Sequence, residues 1–191
     1  MKRKECWQAC VMLALMIVMA ASCKKNEDTL SGLNIFDISL PSGWMYQSYA
    51  DENVLYYAWS PLRTEDDETM ENDTINEDLL ISREHLPTLD LDRYFTYLVE
   101  YLEIDTSYHE IYATDTVING ENAKKLIHLQ TFKLPSQTIP GDSIYLQVRP
   151  MKFFFFKDEY GYIVDCGMLP YTYPYYKPIF ETIMSTFKFK I

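Results

Sequence analysis

Four consecutive phenylalanines at positions 153–156 constrain the fold more than any other feature of this sequence. They end an apolar stretch at 144–156 whose aromatic and β-branched residues favour one long strand. Successive side chains of a strand point to opposite faces of its sheet, so this run places large rings on both faces. Both faces must therefore be covered by other parts of the chain. Lys152 and Lys157 flank the run with charges that oppose aggregation.

Most of the other segments with a clear pattern also favour strands. An apolar run at 35–40 stops at the turn residues Pro41-Ser42-Gly43, and the segments 55–59 and 79–85 follow it. The segments 108–117 and 123–132 flank Asn119-Gly120, a pair that readily adopts the positive φ angles of a type I′ turn. Residues 158–161 form a second turn signal, before a strand at 162–169. These patterns predict antiparallel hairpins.

Two segments have helical spacing instead. Apolar residues recur at steps of three and four from Leu91 to Leu102, and Asp90 stands where an N-cap side chain accepts free amides. Pro178 fits the first turn of a second helix near the end of the chain. The inward-facing residues of that helix would be Ile179, Phe180, Ile183, Met184 and Phe187. The predicted order is therefore strands, helix, strands, helix.

The start of the chain has the order of an export signal. Residues 1–5 carry three cations, and the apolar run at 11–21 is too short to span a bilayer, because as a helix it would reach about 16 Å. Ala20-Ala21-Ser22-Cys23 resembles the lipobox of bacterial lipoproteins, whose cysteine receives acyl chains such as palmitate. We therefore predict a signal peptide at 1–22, lipid attachment at Cys23, a polar tether at 23–32 and one domain at 33–191. Ordinary cleavage that leaves Cys23 as a free thiol is the alternative.

Charge and anchor together predict where the protein lies. The chain has 17 basic and 28 acidic residues, and loss of the signal leaves 14 and 27, a net charge of −13. Such a surface repels phosphate backbones and anionic headgroups, which argues against nucleic acid as a partner and leaves the lipid as the membrane contact. Lys24, which is not an aspartate, favours the outer over the inner membrane of the bacterial envelope. Cys166 is then the lone cysteine of the mature domain, and we expect it to be buried in a strand.

The sequence resembles the PsbP-like family at 36–44, at 118–120 with Ala123, at 155–164 and at 183–187. That family includes the extrinsic protein of the photosynthetic oxygen-evolving complex, a Ran-binding nuclear-transport factor and small bacterial envelope lipoproteins. The resemblance implies an α+β fold in which helices sandwich an antiparallel β-sheet. The matching residues are turn glycines, core aromatics and helix contacts, and members of known function bind partners. The resemblance therefore implies binding without catalysis.

Searches for motifs of known chemistry give no candidate catalytic, cofactor-binding or metal-binding residue. The sequence lacks Gly-x-Gly, a P-loop and a Gly-x-Ser-x-Gly elbow, and His85, His109 and His128 each lack a partner at metal-ligand spacing. The acidic segment at 61–78 predicts a solvated loop; a calcium site there is the alternative, although the segment lacks EF-hand spacing. No cofactor is therefore expected.

A tyrosine-rich stretch near the end of the chain is the candidate partner-binding surface. Its rings alternate with prolines, a combination that offers large contact areas at low entropic cost. Packing of these rings against the sheet edge is the competing interpretation. We expect a non-enzymatic interaction module that binds an unknown envelope protein; a calcium- or glycan-binding carrier or sensor is the alternative, and an unrecognised hydrolase is a third. The candidate residues are Tyr171, Tyr173, Tyr175 and Tyr176.

Overall fold

The computed structural model describes residues 35–49, 53–61, 76–135 and 143–190. The predicted signal peptide, Cys23 and the tether lie outside the described residues, as does most of the acidic segment. The elements are β1 (Phe36–Asp37), β2 (Met45–Ser48), β3 (Val54–Trp59), β4 (Asp78–His85), α1 (Leu91–Ile104), β5 (Tyr108–Ile118), β6 (Glu121–Pro135), β7 (Ser143–Val148), β8 (Met151–Lys157), β9 (Tyr160–Gly167), α2 (Tyr173–Thr186) and β10 (Lys188–Phe189).

Eight strands form one antiparallel sheet in the order β2, β3, β4, β9, β8, β6, β5, with β7 paired to β6 beside β8. The short strands β1 and β10 pair separately and carry Phe36 and Phe189 into the core. The two helices lie on opposite faces of the sheet. The fold is therefore α+β, with helices sandwiching an antiparallel sheet as predicted.

The phenylalanine run takes the positions expected from strand alternation. Phe153 and Phe155 face the larger core, where the Phe155 ring lies 5.0 Å from that of Phe187, just beyond α2. Phe154 faces the other way, and its ring lies 5.3 Å from that of Phe95 in α1. Burial of such rings is among the largest apolar contributions that single side chains make to folding. Each face of the sheet thus has its own core.

The predicted cap and turn are confirmed. Asp90 Oδ1 accepts a hydrogen bond of 2.8 Å from the Arg93 N–H at the start of α1. Asn119 and Gly120 have φ angles of 49° and 87°, as a type I′ hairpin requires. The Asn119 amide also donates to the carbonyl oxygens of Ser185 and Phe187, at 2.8 and 2.7 Å. The β5–β6 turn is thereby tied to the end of α2.

Two sequence expectations were wrong about element boundaries. The apolar stretch at 144–156 is two strands, β7 and β8, which keep one register along β6 but are separated at Arg149-Pro150. Proline has no N–H to donate to a sheet, which accounts for the break. The second helix begins at Tyr173 and not near Pro178, which lies inside it. The Tyr176 N–H already bonds to the Thr172 carbonyl, so the helix is established before the second proline.

Candidate functional site

Helix α1 covers part of its sheet face and leaves the rest partly exposed. It packs against β5, β6 and β8, over a small core around Leu126 and Phe154. Strand register places a group of polar and aromatic side chains on the same face, toward the end of the sheet where β4 begins and β9 ends. We call this surface the open face; its residues are Tyr57, Trp59, Asp78, Gln130, Lys152 and Asp165.

An ion pair lies at the centre of the open face. Lys152 and Asp165 are cross-strand partners in β8 and β9, and Lys152 Nζ lies 2.6 Å from Asp165 Oδ2. Burial alone would lower the pKa of the Lys152 ammonium, but the charge and hydrogen bond of Asp165 outweigh it and raise that pKa. Lys152 is therefore held protonated and does not supply a nucleophilic amine.

Asp78 lies opposite Gly167 in the pairing of β4 with β9. Its Oδ2 accepts a hydrogen bond of 3.2 Å from the Tyr57 hydroxyl, and the Gly167 backbone also donates to the carboxylate. A Cβ at position 167 would lie 2.0 Å from Asp78 Oδ1, so glycine makes this approach possible. Burial and then the charge of Asp165 raise the pKa of Asp78 to about 7. Asp78 therefore exchanges its proton near neutral pH.

Two other titratable groups near this pair are closed to solvent. His128 is 1% exposed, and its ring lies 5.1 Å from that of Tyr108. Burial and the charge of Lys152 lower the pKa of His128 to about 4, so its imidazole is neutral near pH 7. Cys166 is buried in β9, as predicted, and faces the opposite core; burial raises the pKa of its thiol. Neither residue presents a reactive group to the open face.

A notch lies where β9 ends, between the start of β4 and β7. It has a volume of about 140 Å³ and is lined by Asn76, Glu77, Asp78, Val148, Gly167, Met168 and Leu169. The prediction of a solvated loop at 61–78 was wrong for its last residues, because Glu77 is 2% exposed and Asp78 belongs to β4. The Ser60 hydroxyl accepts a hydrogen bond from the Glu77 N–H, which holds the start of β4 beside the end of β3. Residues 62–75 lie outside the described residues.

The four predicted tyrosines do not form one surface. Tyr171 and Tyr175 are 59% and 50% exposed, whereas Tyr176 is 4% exposed beside Phe180. Tyr173 is partly buried, with the Arg149 guanidinium 5.4 Å from its ring centre. Tyr173, Tyr175 and Tyr176 belong to α2, on the face opposite the open face, so a partner-binding role for the four remains a prediction.

The sequence patterns did not predict the open face. Three further observations bear on the site. Within the described part of the chain, no three metal-ligating side chains cluster. His85, on β4, lies 3.5 Å from the Glu159 carboxylate at the surface. Among the residues that the structure describes, neither helix is long and apolar enough to cross a membrane. The sequence signal that could have pointed to the open face is Gly167, a glycine at the end of an otherwise well-packed strand.

Comparison of the fold with solved structures gives three informative similarities. CyanoP, the cyanobacterial PsbP from Synechocystis sp. PCC 6803, is 17% identical with a TM-score of 0.50, covering 91% of this chain and 95% of that one. PA94 from Pseudomonas aeruginosa, a protein of unknown function described as a putative regulator, is 15% identical with a TM-score of 0.53, covering 78% and 88%. LpqN of Mycobacterium tuberculosis, involved in cell envelope biogenesis, is 8% identical with a TM-score of 0.55, covering 82% and 83%.

At the level of sequence, no protein-family model and no curated protein matches the chain. At these identities the structural similarities establish the fold and not the activity. They agree with the predicted α+β fold. The chain has the PsbP-like fold.

Proposed function

We propose that this chain is a bacterial envelope lipoprotein, anchored through Cys23, that acts without catalysis by binding a protein partner at the open face. The involvement of LpqN in envelope biogenesis supports the compartment, although that role is known for LpqN alone. The export signal and the lipobox-like residues at 20–23 support the anchor. An outer-membrane address follows from Lys24, as predicted from the sequence.

The observation that carries the proposal is that aromatic and charged side chains on one sheet face are left partly exposed beside α1. Tyr57 and Trp59 present aromatic area there, with ring centres 5.4 Å apart, and Asp78 and Lys152 add charge. Aromatic residues beside a few fixed polar groups are typical of protein interfaces. Lys152 is held as an ammonium and His128 is buried, so neither offers a nucleophile or an accessible base to the open face.

Site-specific photo-cross-linking tests the proposal in cells. A photoreactive phenylalanine analogue would replace Trp59 on the open face or Ile144 on β7, which lies on the side of β7 that continues the open face and is 53% exposed. Tyr175, 50% exposed on the opposite side of the sheet, is the matched control. We expect an adduct with a second protein from the first two positions and none from Tyr175. An adduct from Tyr175 would instead support the tyrosine-rich stretch as the binding surface. Absence of adducts from both test positions would refute the open face as a binding surface.

The anchor has a separate test. Intact mass of the membrane-extracted protein should show a chain that begins at Cys23 and carries acyl groups, and Cys23→Ala should abolish that species. A mature chain without lipid would place the protein free in the periplasm or outside the cell. The binding proposal would then have to hold for a soluble domain.

A further inference from the structure

Strand β6 extends past the strand that pairs with one of its edges. The pairing of β5 with β6 ends at Tyr108 and Gln130, whereas β6 continues to Pro135 and pairs with β7 there. Residues 131–135 and 143–148 therefore form a two-stranded arm beyond the main sheet. On the side of the arm that continues the open face, register places the partly buried apolar residues Phe132, Leu134, Leu146 and Val148, with Ile144 53% exposed.

The outer edge of β7 has no strand beside it among the described residues. The Arg149 N–H, just after β7, donates a hydrogen bond of 2.7 Å to the carbonyl of Met168, just after β9. The backbone groups of Arg149 therefore point to the outer edge of β7, away from β6. Backbone groups alternate along a strand, so the N–H and C=O groups of Tyr145 and Gln147 face that same side. Beyond Met168 the chain turns away toward α2, and both side chains are exposed.

The other edges of the sheet are protected in ways that β7 is not. The end of β6 beyond β5 contains Lys133 and Pro135. Strand β2 has four residues, and β5 has a register break between His109 and Tyr112, with Glu110 at a φ of 50°. Short strands, bulges and charges are the devices by which proteins prevent strand addition at an edge. Strand β7, with the sequence SIYLQV, has six residues and contains neither a charge nor a proline. It is therefore the described edge most open to a further strand.

Charge indicates what kind of strand would fit. The edge of β7 leads into the notch, where Asp78 contributes a carboxyl group, and Lys152 is already paired with Asp165. A cation placed in the notch would take the position of the proton that Asp78 retains near neutral pH. A second copy of this chain is a poorer fit, because each mature chain carries a net charge of about −13 and the copies repel one another.

We propose that an extended segment of a partner protein adds to the sheet along the free edge of β7, and that a lysine or arginine of this segment enters the notch beside Asp78. This proposal rests on the proposed function and names the binding mode and the chemistry of the partner. Main-chain hydrogen bonds to Tyr145 and Gln147 hold the segment, and its alternate apolar side chains cover the arm.

The experiment uses the full lipidated chain, extracted in detergent, and fluorescence polarisation of matched peptides of about six residues, the length of β7. Each peptide alternates valine with threonine and ends in lysine, glutamine or glutamate. Gln147→Pro removes an edge N–H without changing the pairing with β6, whereas the matched variant Gln147→Ala keeps that N–H. Asp78→Asn removes the carboxylate.

We expect the lysine peptide to bind at least about tenfold more tightly than the glutamate peptide. Gln147→Pro should weaken that binding by at least about tenfold, Gln147→Ala should leave it unchanged, and Asp78→Asn should reduce the preference for lysine. Strand addition would be overturned if Gln147→Pro bound the lysine peptide as tightly as the native chain does. It would also be overturned if the native chain did not bind the peptide. Equal binding of the lysine and glutamate peptides would overturn the choice of a cation.

Two further outcomes separate this proposal from the one on which it rests. Self-association of the native chain that Gln147→Pro abolishes would identify a second copy as the occupant and overturn the proposed partner. Cross-linking from Trp59 without any effect of the peptides would keep the open face as a binding surface and refute strand addition at β7 alone.

Discussion

Replacement of Asp78 by asparagine should stabilise the protein, and the gain should depend on pH. The folded protein raises the pKa of Asp78 from 3.8 to about 7, chiefly by burial and by the charge of Asp165. At about 1.4 kcal/mol per unit, this shift of about three units makes ionised Asp78 cost the folded state about 4 kcal/mol. Asparagine has nearly the same shape and cannot ionise, so Asp78→Asn avoids that cost.

The direction of this pH dependence follows from whether the folded or the unfolded state binds the Asp78 proton more tightly. Because the folded pKa is the higher one, the stability that protonated Asp78 provides is complete below about pH 3.8 and lost as the pH rises through 7. The free energy of unfolding of Asp78→Asn should therefore match that of the native chain near pH 4. The variant should be more stable by about 4 kcal/mol above pH 8.

The contribution of His128 to stability changes with pH in the opposite direction. This makes the stability profiles of the native chain and of Asp78→Asn easier to distinguish. Its folded pKa is lowered from 6.5 to about 4, so its contribution is complete above pH 6.5 and lost as the pH falls through 4. In the native chain, the contributions of Asp78 and His128 to stability oppose each other between about pH 4 and 6.5. Without the Asp78 carboxyl, stability should fall by about 1.4 kcal/mol for each pH unit between about 6.5 and 4.

Urea unfolding of both chains at a series of pH values is the assay. Asp158→Asn, on the exposed β8–β9 turn at a φ of 51°, which asparagine tolerates, is the control and should follow the native pH profile. A stability difference between Asp78→Asn and the native chain that is the same at every pH would refute the account of the buried carboxyl. A variant less stable than the native chain at pH 8 would refute it as well.

Three other substitutions or reactions test the framework that holds the open face. Phe154→Ala should lower the free energy of unfolding by about 3 to 5 kcal/mol in urea titrations, because this ring joins α1 to the sheet. Asp90→Ala should cost about 1 kcal/mol in the same titrations through loss of the N-cap of α1; no change would show that the cap bond contributes nothing. The Cys166 thiol should react with a maleimide only after unfolding, since it is fully buried with its pKa raised; mass spectrometry of the native chain would detect any exception.

Local signals in the sequence predicted much of the fold. The Asn119-Gly120 turn, the Asp90 cap and the phenylalanine run each depend on interactions within a few residues or on simple alternation, and the structure confirms them. The second helix was placed too late because Pro178 is typical of a first helical turn, whereas here Pro174 takes that position.

The open face could not be predicted in the same way. It exists because the register of β4 with β9 brings Asp78 against Gly167, and because α1 covers only part of one sheet face. Both facts depend on pairing and packing between distant segments, which one sequence does not encode in any local pattern. The tyrosine-rich stretch was singled out by its composition, but helix α2 directs Tyr176 into the core. Composition alone does not show which side chains a helix buries.

The measurement that tests the central claim most directly is photo-cross-linking from Tyr145 in cells, in the native chain and with Gln147→Pro or Gln147→Ala. If a partner adds a strand to β7, the native chain and the alanine variant should give the same adduct, and the proline variant should lose it. A cross-linked partner peptide containing lysine or arginine would further support the notch as a cation site. Equal adducts from all three chains, or from the control position Tyr175, would contradict the account.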